Sequence, residues 1–93
     1  MNNIEKQLEL STIAFKNTEE LIKSFVNDRH KFKTRMDRNK VTDEFTVAFN
    51  GMSMLMSELD RDRAIKMLDD YGILNTIKKS VDRIRTNRSL AFT

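Results

Sequence analysis

Apolar side chains recur every three or four positions along most of this chain, and strict alternation of apolar and polar positions never exceeds four residues. The first spacing is that of amphipathic helices, whereas half-buried strands need the alternation. The chain has no proline and two glycines, and it is rich in Glu, Lys, Leu, Met and Arg. The sequence therefore predicts an all-α fold, a small bundle of four to five helices.

Residues suited to helix caps divide the first half of the pattern. A first helix is predicted over residues 3–16. Asn17 followed by Glu20 resembles a capping box, which predicts a second helix over residues 18–38. The alternative is one long helix that is only bent at Asn17.

The second half of the chain is divided by similar signals. Thr42 is predicted to begin a third helix, whose apolar face comprises Phe45, Phe49, Met52, Leu55, Met56 and Leu59. Asp60 or Asp62 is predicted to cap a short fourth helix, and Gly72 to end it in the left-handed conformation. The fifth helix is expected to turn its apolar residues inward, namely Leu74, Ile77, Val81 and Ile84.

A chain of 93 residues forms one domain, predicted over residues 1–85 with a frayed tail over residues 86–93. The absence of cysteine and the single histidine, His30, exclude disulfides and thiolate or His-rich metal sites. Self-association is then the remaining way to enlarge a thin core. A glycine inside an apolar helical pattern suits close helix contact, so the predicted oligomer interface comprises Ala48, Gly51 and Met52.

The N-terminus has neither the basic leader nor the apolar run of a secretion signal, and no apolar stretch exceeds three residues. The sequence therefore predicts a cytoplasmic protein without a membrane span.

Charge is segregated into blocks along the chain. Residues 29–40 carry six basic residues against Asp37, and residues 73–93 carry five against Asp82, whereas the other two blocks are acidic. If the two basic blocks converge in space, they form a positive surface suited to phosphates. The alternative is that acidic and basic helices pair and keep the protein soluble. The predicted anion-binding residues are Arg29, Lys31, Lys33, Arg35, Arg38, Lys78, Lys79, Arg83 and Arg85.

The segment from Ala64 to Arg85 resembles a helix-turn-helix unit, with Gly72 at the turn and a basic second helix that would enter the major groove of DNA. Leu68 and Lys78 depart from that pattern, which favours a small residue and an apolar residue at these positions. Two antiparallel helices joined by a glycine turn are the simpler interpretation.

The sequence shows no nucleophile–base set, glycine-rich phosphate loop or metal-ligand cluster, so no catalytic residue, cofactor or metal is predicted. We expect a non-enzymatic regulatory protein that binds an anionic partner, either nucleic acid or a nucleotide. The alternative is a protein-binding inhibitor, antitoxin or adaptor of phage or plasmid type, docking on one target protein. A contiguous basic patch without an apolar groove would favour the first function, and an exposed apolar stripe rimmed by charge would favour the second.

Overall fold

A computed structural model describes the backbone of residues 2–91 and the side-chain environment of residues 2–87. This part of the chain forms α1 (Asn3–Asp28), a 3-10 turn (Arg29–Lys31), α2 (Arg35–Ser53), α3 (Glu58–Asp70) and α4 (Leu74–Ala91). The all-α prediction is confirmed, with four α-helices in this range. α4 continues past residue 85, where fraying was expected to begin, and residues 92 and 93 lie outside the described part.

α1 is a single long helix, so the capping box predicted at Asn17 is wrong. The helix begins at Asn3, the predicted start, and the side chain of Asn2 caps it by accepting a hydrogen bond from the backbone N–H of Glu5 at 2.8 Å. Its buried side chains follow a spacing of four and three residues that passes Asn17 without interruption. They include Ser11, Phe15, Thr18, Ile22 and Phe25. This continuous seam holds the helix together across the apparent cap.

The interruption between the first two helices lies instead between Asp28 and Arg35. Thr34 caps α2 by accepting a hydrogen bond from the backbone N–H of Asp37 at 3.1 Å, so the helix predicted to continue to residue 38 is wrong. Thr42, the predicted start of the third helix, lies buried inside α2. Its hydroxyl donates to the carbonyl of Arg38 at 2.7 Å.

α3 begins earlier than the sequence indicated. Ser57 is its N-cap and accepts from the backbone N–H of Asp60 at 3.2 Å, so neither Asp60 nor Asp62 is the cap. At the other end Gly72 has φ of +73°, which confirms the predicted left-handed helix end. The N–H groups of Gly72 and Ile73 donate to the carbonyls of Asp69 and Leu68, both at 2.9 Å, which closes a Schellman motif.

The four helices pack against one another in four main pairs. α1 contacts α2 and α3, and α4 also contacts α2 and α3. α1 and α2 are antiparallel, because Phe25 stacks on Phe45 with ring centroids 4.3 Å apart, whereas Thr18, earlier in α1, contacts Met52, later in α2. α1 and α3 are parallel, because Ser11 contacts Asp60 and Phe15, one turn later, contacts Arg63. The core comprises Ala14, Phe15, Ile22, Phe25, Phe45, Phe49, Met56, Ala64, Leu68, Ile73 and Ile77.

Hydroxyl groups occupy a sizeable part of the interior beside this apolar core. The hydroxyls of Thr18 and Thr46 donate to the carbonyls of Ala14 and Thr42 within their own helices, both at 2.8 Å. Among the described side chains, no buried polar atom lacks a hydrogen-bond partner. Because these groups are satisfied, they can be buried at little net cost. The buried polar residues are Ser11, Thr18, Thr42, Thr46, Ser53 and Ser80.

Candidate functional site

The first basic block folds around the corner between α1 and α2. Arg29 and Lys31 belong to the 3-10 turn, and Arg35 and Arg38 to the first turn of α2. Since the corner is at the surface, all five basic residues predicted here to bind anions are exposed: Arg29, Lys31, Lys33, Arg35 and Arg38. The structure therefore brings this half of the predicted site together.

A cleft of about 180 Å³ opens within this corner, and we call it the basic cleft. Arg29 and Arg38 are on its wall, so two arginines from different elements line one hollow. The remainder of the wall is formed by two phenylalanines, a valine, an asparagine and two threonines. The lining residues are Phe25, Arg29, Phe32, Arg38, Asn39, Val41, Thr42 and Thr76. Thr76 comes from α4, so α1, the 3-10 turn, α2 and α4 all contribute to the cleft.

Few acidic groups compete for these cations. Lys31 pairs with Asp28 at 3.0 Å, but both side chains are largely exposed, so this contact is weak. Among the described side chains, no ion pair is formed by Arg29 or Arg38. The two guanidinium groups at the cleft are therefore not neutralised by a neighbouring carboxylate within that part of the chain.

Arg83, predicted to bind anions from α4, serves a different purpose. Its Nε lies 3.1 Å from both carboxylate oxygens of Asp43 on α2, and Ser80 donates to the same carboxylate at 2.6 Å. Partial burial opposes ionisation of Asp43, but the hydrogen bonds from Arg83 and Ser80 and the charge of Arg83 outweigh it and lower its pKa. Arg83 is half-buried rather than exposed, and it joins α2 to α4.

The ion pair of Arg83 also fixes the direction of the other basic residues on α4. Lys79 lies about 40° around the helix from Arg83, whereas Lys78 and Arg85 lie about 140° and 160° away, since each residue turns an α-helix by about 100°. Lys78 and Arg85 are exposed but point away from α2. Among the described side chains of α4, Lys79 is therefore on the side of the basic cleft, whereas Lys78 and Arg85 do not form one surface with the first basic block.

The predicted oligomer interface is only partly accessible. Met52 is half-buried and its sulfur lies 3.2 Å from the hydroxyl oxygen of Thr18, so it faces α1. Ala48 is also half-buried, whereas Gly51 is exposed with no atom within 4 Å of the position where a Cβ would be. No helix of the described part approaches Gly51, so the predicted contact with a second copy stays a prediction.

Substitution of the two glycines by alanine should change the stability of the protein in opposite directions. In the monomer, Gly51→Ala is expected to stabilise the protein by about 0.5–1 kcal/mol, because alanine is the better helix former and meets only open space. Gly72→Ala is expected to destabilise it by about 1 kcal/mol or more, since the left-handed conformation disfavours a Cβ. Urea denaturation measures both effects.

Light scattering that finds only 11 kDa particles for the unmodified protein at micromolar concentration would exclude the oligomer.

An apolar groove lies at the opposite end of α2, where sequence reasoning predicted no site. The volume of this apolar groove is about 380 Å³, and it separates the start of α1 from the turn between α2 and α3. Leu55 was expected in the core, but α2 ends at Ser53 and leaves it 58% exposed. Leu59 is 70% exposed for a related reason, since it lies in the first turn of α3 rather than continuing α2. The groove is lined by Ile4, Gln7, Leu8, Leu10, Met54, Leu55, Met56 and Ser57.

Comparison with known proteins does not identify a family for this chain, so its class rests on its fold and surface. The chain matches no protein-family model, no curated protein and no solved structure. None of the helices within residues 2–91 combines the length and apolarity needed to cross a membrane. The protein is thus a small all-α domain with a basic cleft at one end and an apolar groove at the other.

Proposed function

We propose that this chain is a non-enzymatic regulatory protein of the cytoplasm that binds a polyanion, in the first place nucleic acid, at the basic cleft. The observation that carries the proposal is that Arg29 and Arg38 line one hollow, while the three basic residues between them in the sequence are exposed. The proposed site comprises Arg29, Lys31, Lys33, Arg35 and Arg38, with Lys79 at its edge. Arg83 is omitted because it is paired with Asp43.

Guanidinium groups suit this partner because each can donate two parallel hydrogen bonds to a phosphate. The half-buried ring of Phe32 and the hydroxyl of Thr76 offer an aromatic face and a polar contact beside them. An unpaired nucleobase could stack on such a ring. These features support a nucleic acid more than an inorganic anion.

The size of the cleft favours a polymer over a free nucleotide. Pockets that enclose small molecules usually measure roughly 300–1,000 Å³. The basic cleft, at about 180 Å³, holds a single phosphate or one small group. A strand lying across the corner could place one phosphate in the cleft and others against Lys33 and Arg35.

The proposal predicts a strong dependence of binding on these two arginines and on salt. Five phosphate contacts would weaken duplex binding on the order of several hundredfold between 50 and 200 mM salt, because binding releases counterions. The variant Arg29→Gln/Arg38→Gln should lower the slope of log Kd against log salt by about 1.8. Fluorescence anisotropy with labelled single-stranded and duplex oligonucleotides measures both effects.

The matched control is Lys78→Gln/Arg85→Gln. It removes the same charge from two exposed residues that point away from α2, so its affinity should remain near that of the unmodified protein. Equal losses in the two variants would show that net charge alone drives binding. Failure of either oligonucleotide to bind at 50 mM salt would contradict the proposal.

The apolar groove favours the second candidate function, a protein-binding inhibitor, antitoxin or adaptor. Exposed apolar surface rimmed by charge is typical of protein docking sites. Such a complex should survive nuclease and 300 mM salt, unlike a complex held mainly by phosphate contacts. The basic end could also contact an acidic protein surface, but that complex would share the salt sensitivity of the first.

A further inference from the structure

A second polar hollow lies where α3 ends beside α1. The two helices are parallel, and their shared side is marked by the contacts of Ser11 with Asp60 and of Phe15 with Arg63. α3 stops before the left-handed Gly72, whereas α1 continues to the 3-10 turn. An open hollow of about 580 Å³ lies beside this last part of α1, and we call it the tyrosine pocket. It is lined by Lys23, Ser24, Val26, Asn27, His30 and Tyr71.

The lining side chains suit a flat ring with polar edges. Tyr71 is 42% exposed, so its aromatic ring is accessible, and the half-buried Val26 adds an apolar contact. Asn27 and His30 are exposed and carry groups that can donate and accept hydrogen bonds. A nucleobase has faces that stack on aromatic side chains and an edge of hydrogen-bond donors and acceptors. The chemistry of the tyrosine pocket therefore matches that of a nucleobase.

The charges beside the pocket favour one direction of approach for a polyanion. No Asp or Glu is among the lining residues, and Lys23 forms no ion pair within residues 2–87. The two aspartates before Tyr71 lie about 160° and 100° around α3 from it, since each residue turns a helix by about 100°. Glu19 and Glu20 are on the pocket side of α1, one turn before Lys23. Phosphates are therefore repelled at that end and attracted toward the basic 3-10 turn.

The tyrosine pocket and the basic cleft share this 3-10 turn. His30 lines the pocket, and Arg29, the residue before it, lines the cleft. The Cα atoms of neighbouring residues lie about 3.8 Å apart, and successive side chains of a 3-10 helix point about 120° apart. A strand that crosses the turn can therefore place a phosphate against Arg29 and a base in the tyrosine pocket.

We propose that the tyrosine pocket binds one unpaired nucleobase, stacked on Tyr71, of a strand whose phosphates lie at the basic cleft. This inference rests on the proposed function and narrows its ligand to single-stranded nucleic acid. In a duplex the faces of each base are covered by the neighbouring base pairs, so they are not available to an outside ring. Asn27 and His30 supply the hydrogen bonds to the edge of the stacked base.

Tyrosine fluorescence tests the proposal on the full chain, because Tyr71 is its only tyrosine and there is no tryptophan. Stacking of a nucleobase on the ring quenches this emission. At 50 mM salt, an oligothymidylate of about ten nucleotides should quench Tyr71 with the same midpoint that anisotropy gives for its binding. Free tyrosine amide in the same solutions corrects for absorption of the exciting light by the bases. Binding without quenching would overturn the proposal.

Two further nucleic acids separate stacking from phosphate contacts. An abasic strand of the same length keeps the phosphates, so it should bind on the order of tenfold or more weakly and leave the emission of Tyr71 unchanged. A duplex should also bind without quenching, because its bases are paired. Quenching by either one to the extent seen with oligothymidylate would contradict stacking of an unpaired base.

Tyr71→Ala and Tyr71→Phe are the matched variants. The alanine variant should bind oligothymidylate on the order of tenfold more weakly, because one stacked base is lost. Its slope of log Kd against log salt should remain that of the unmodified protein, since no phosphate contact is removed. The phenylalanine variant keeps the ring and should keep the affinity. Circular dichroism establishes that each variant is folded. Unchanged affinity in the alanine variant, or equal losses in both, would show that no base stacks on this ring.

The arginine variant distinguishes failure of this proposal from failure of the proposed function. Arg29→Gln/Arg38→Gln retains Tyr71, so oligothymidylate should still quench its emission, with the midpoint at a higher concentration. If oligothymidylate binds the unmodified protein but neither quenches Tyr71 nor depends on it, this proposal is wrong and binding at the basic cleft stands. If no strand binds at 50 mM salt, both are wrong.

Discussion

Ile22→Ala is expected to lower the free energy of unfolding by about 2–5 kcal/mol. Ile22 is fully buried on α1, the helix that packs against both α2 and α3. Truncating it removes apolar contacts and leaves a cavity that surrounding side chains fill only in part. Domains of this kind have total stabilities of about 5–15 kcal/mol, so the melting temperature should fall on the order of 10–30 °C. Urea denaturation and thermal melts followed by circular dichroism measure the two quantities.

Ile4→Ala is the matched control for this prediction. Ile4 lies on the same helix and the same seam, but it is 68% exposed at the edge of the apolar groove. We expect its truncation to cost less than about 1 kcal/mol, because little surface is buried there. Similar losses at the two isoleucines would show that the groove is closed in the folded protein.

Ser11→Ala is expected to cost about 1.5–3 kcal/mol, the second-largest effect. The Ser11 hydroxyl donates to Asp60 at 2.6 Å and accepts from the backbone N–H of Ser57 at 2.6 Å. Its loss leaves the backbone N–H of Ser57 without this acceptor, and the Asp60 carboxylate keeps only Arg63 as a side-chain donor from another residue of α3. Thr12→Ala, the matched control, removes an exposed hydroxyl bonded only to the carbonyl of Leu8, so it should change stability by about 0.5 kcal/mol or less.

The cost of Ser11→Ala should also depend on pH. The hydrogen bond from Ser11 is the largest cause of the lowered pKa of Asp60, opposed by burial and aided by Arg63 and Ser57. A carboxylate with a lowered pKa stabilises the fold above its unfolded pKa of about 3.9, and this stability is lost as pH falls through the folded pKa. The difference between Ser11→Ala and the unmodified protein should therefore shrink below about pH 4. A difference that stays constant from pH 7 to pH 3 would contradict this account.

The all-α fold class and the left-handed helix end at Gly72 could be predicted from the sequence because both depend on local chemistry. Helix boundaries could not, since three similar capping patterns begin at Asn17, Thr34 and Ser57. Only the last two are caps in the structure. The first lies within α1, where Thr18 and Ile22 are buried against other helices. Tertiary packing, which a local pattern does not contain, decides among them.

The candidate sites show the same division. The exposure of Arg29 and Arg38 follows from their charge, so sequence reasoning placed them in the site. The different roles of Arg83 and Lys79 depend on Asp43, forty residues before Arg83 in the chain. The apolar groove was missed because the exposure of Leu55 depends on where α2 ends. The adjacent apolar residues Met54 and Leu55 were the available signal in the sequence, but the same residues fit a helix that continues past Ser53.

The hydroxyl-rich interior has a consequence for the temperature dependence of folding. Of the seventeen buried residues between positions 2 and 87, six are Ser or Thr, so unfolding hydrates less hydrocarbon than it would for an all-aliphatic core. Exposure of apolar surface raises the heat capacity, whereas exposure of polar surface lowers it. The heat-capacity change on unfolding should therefore be small for a chain of this length. A small change flattens the curve of stability against temperature, so the fold loses little of its modest stability when it is cooled.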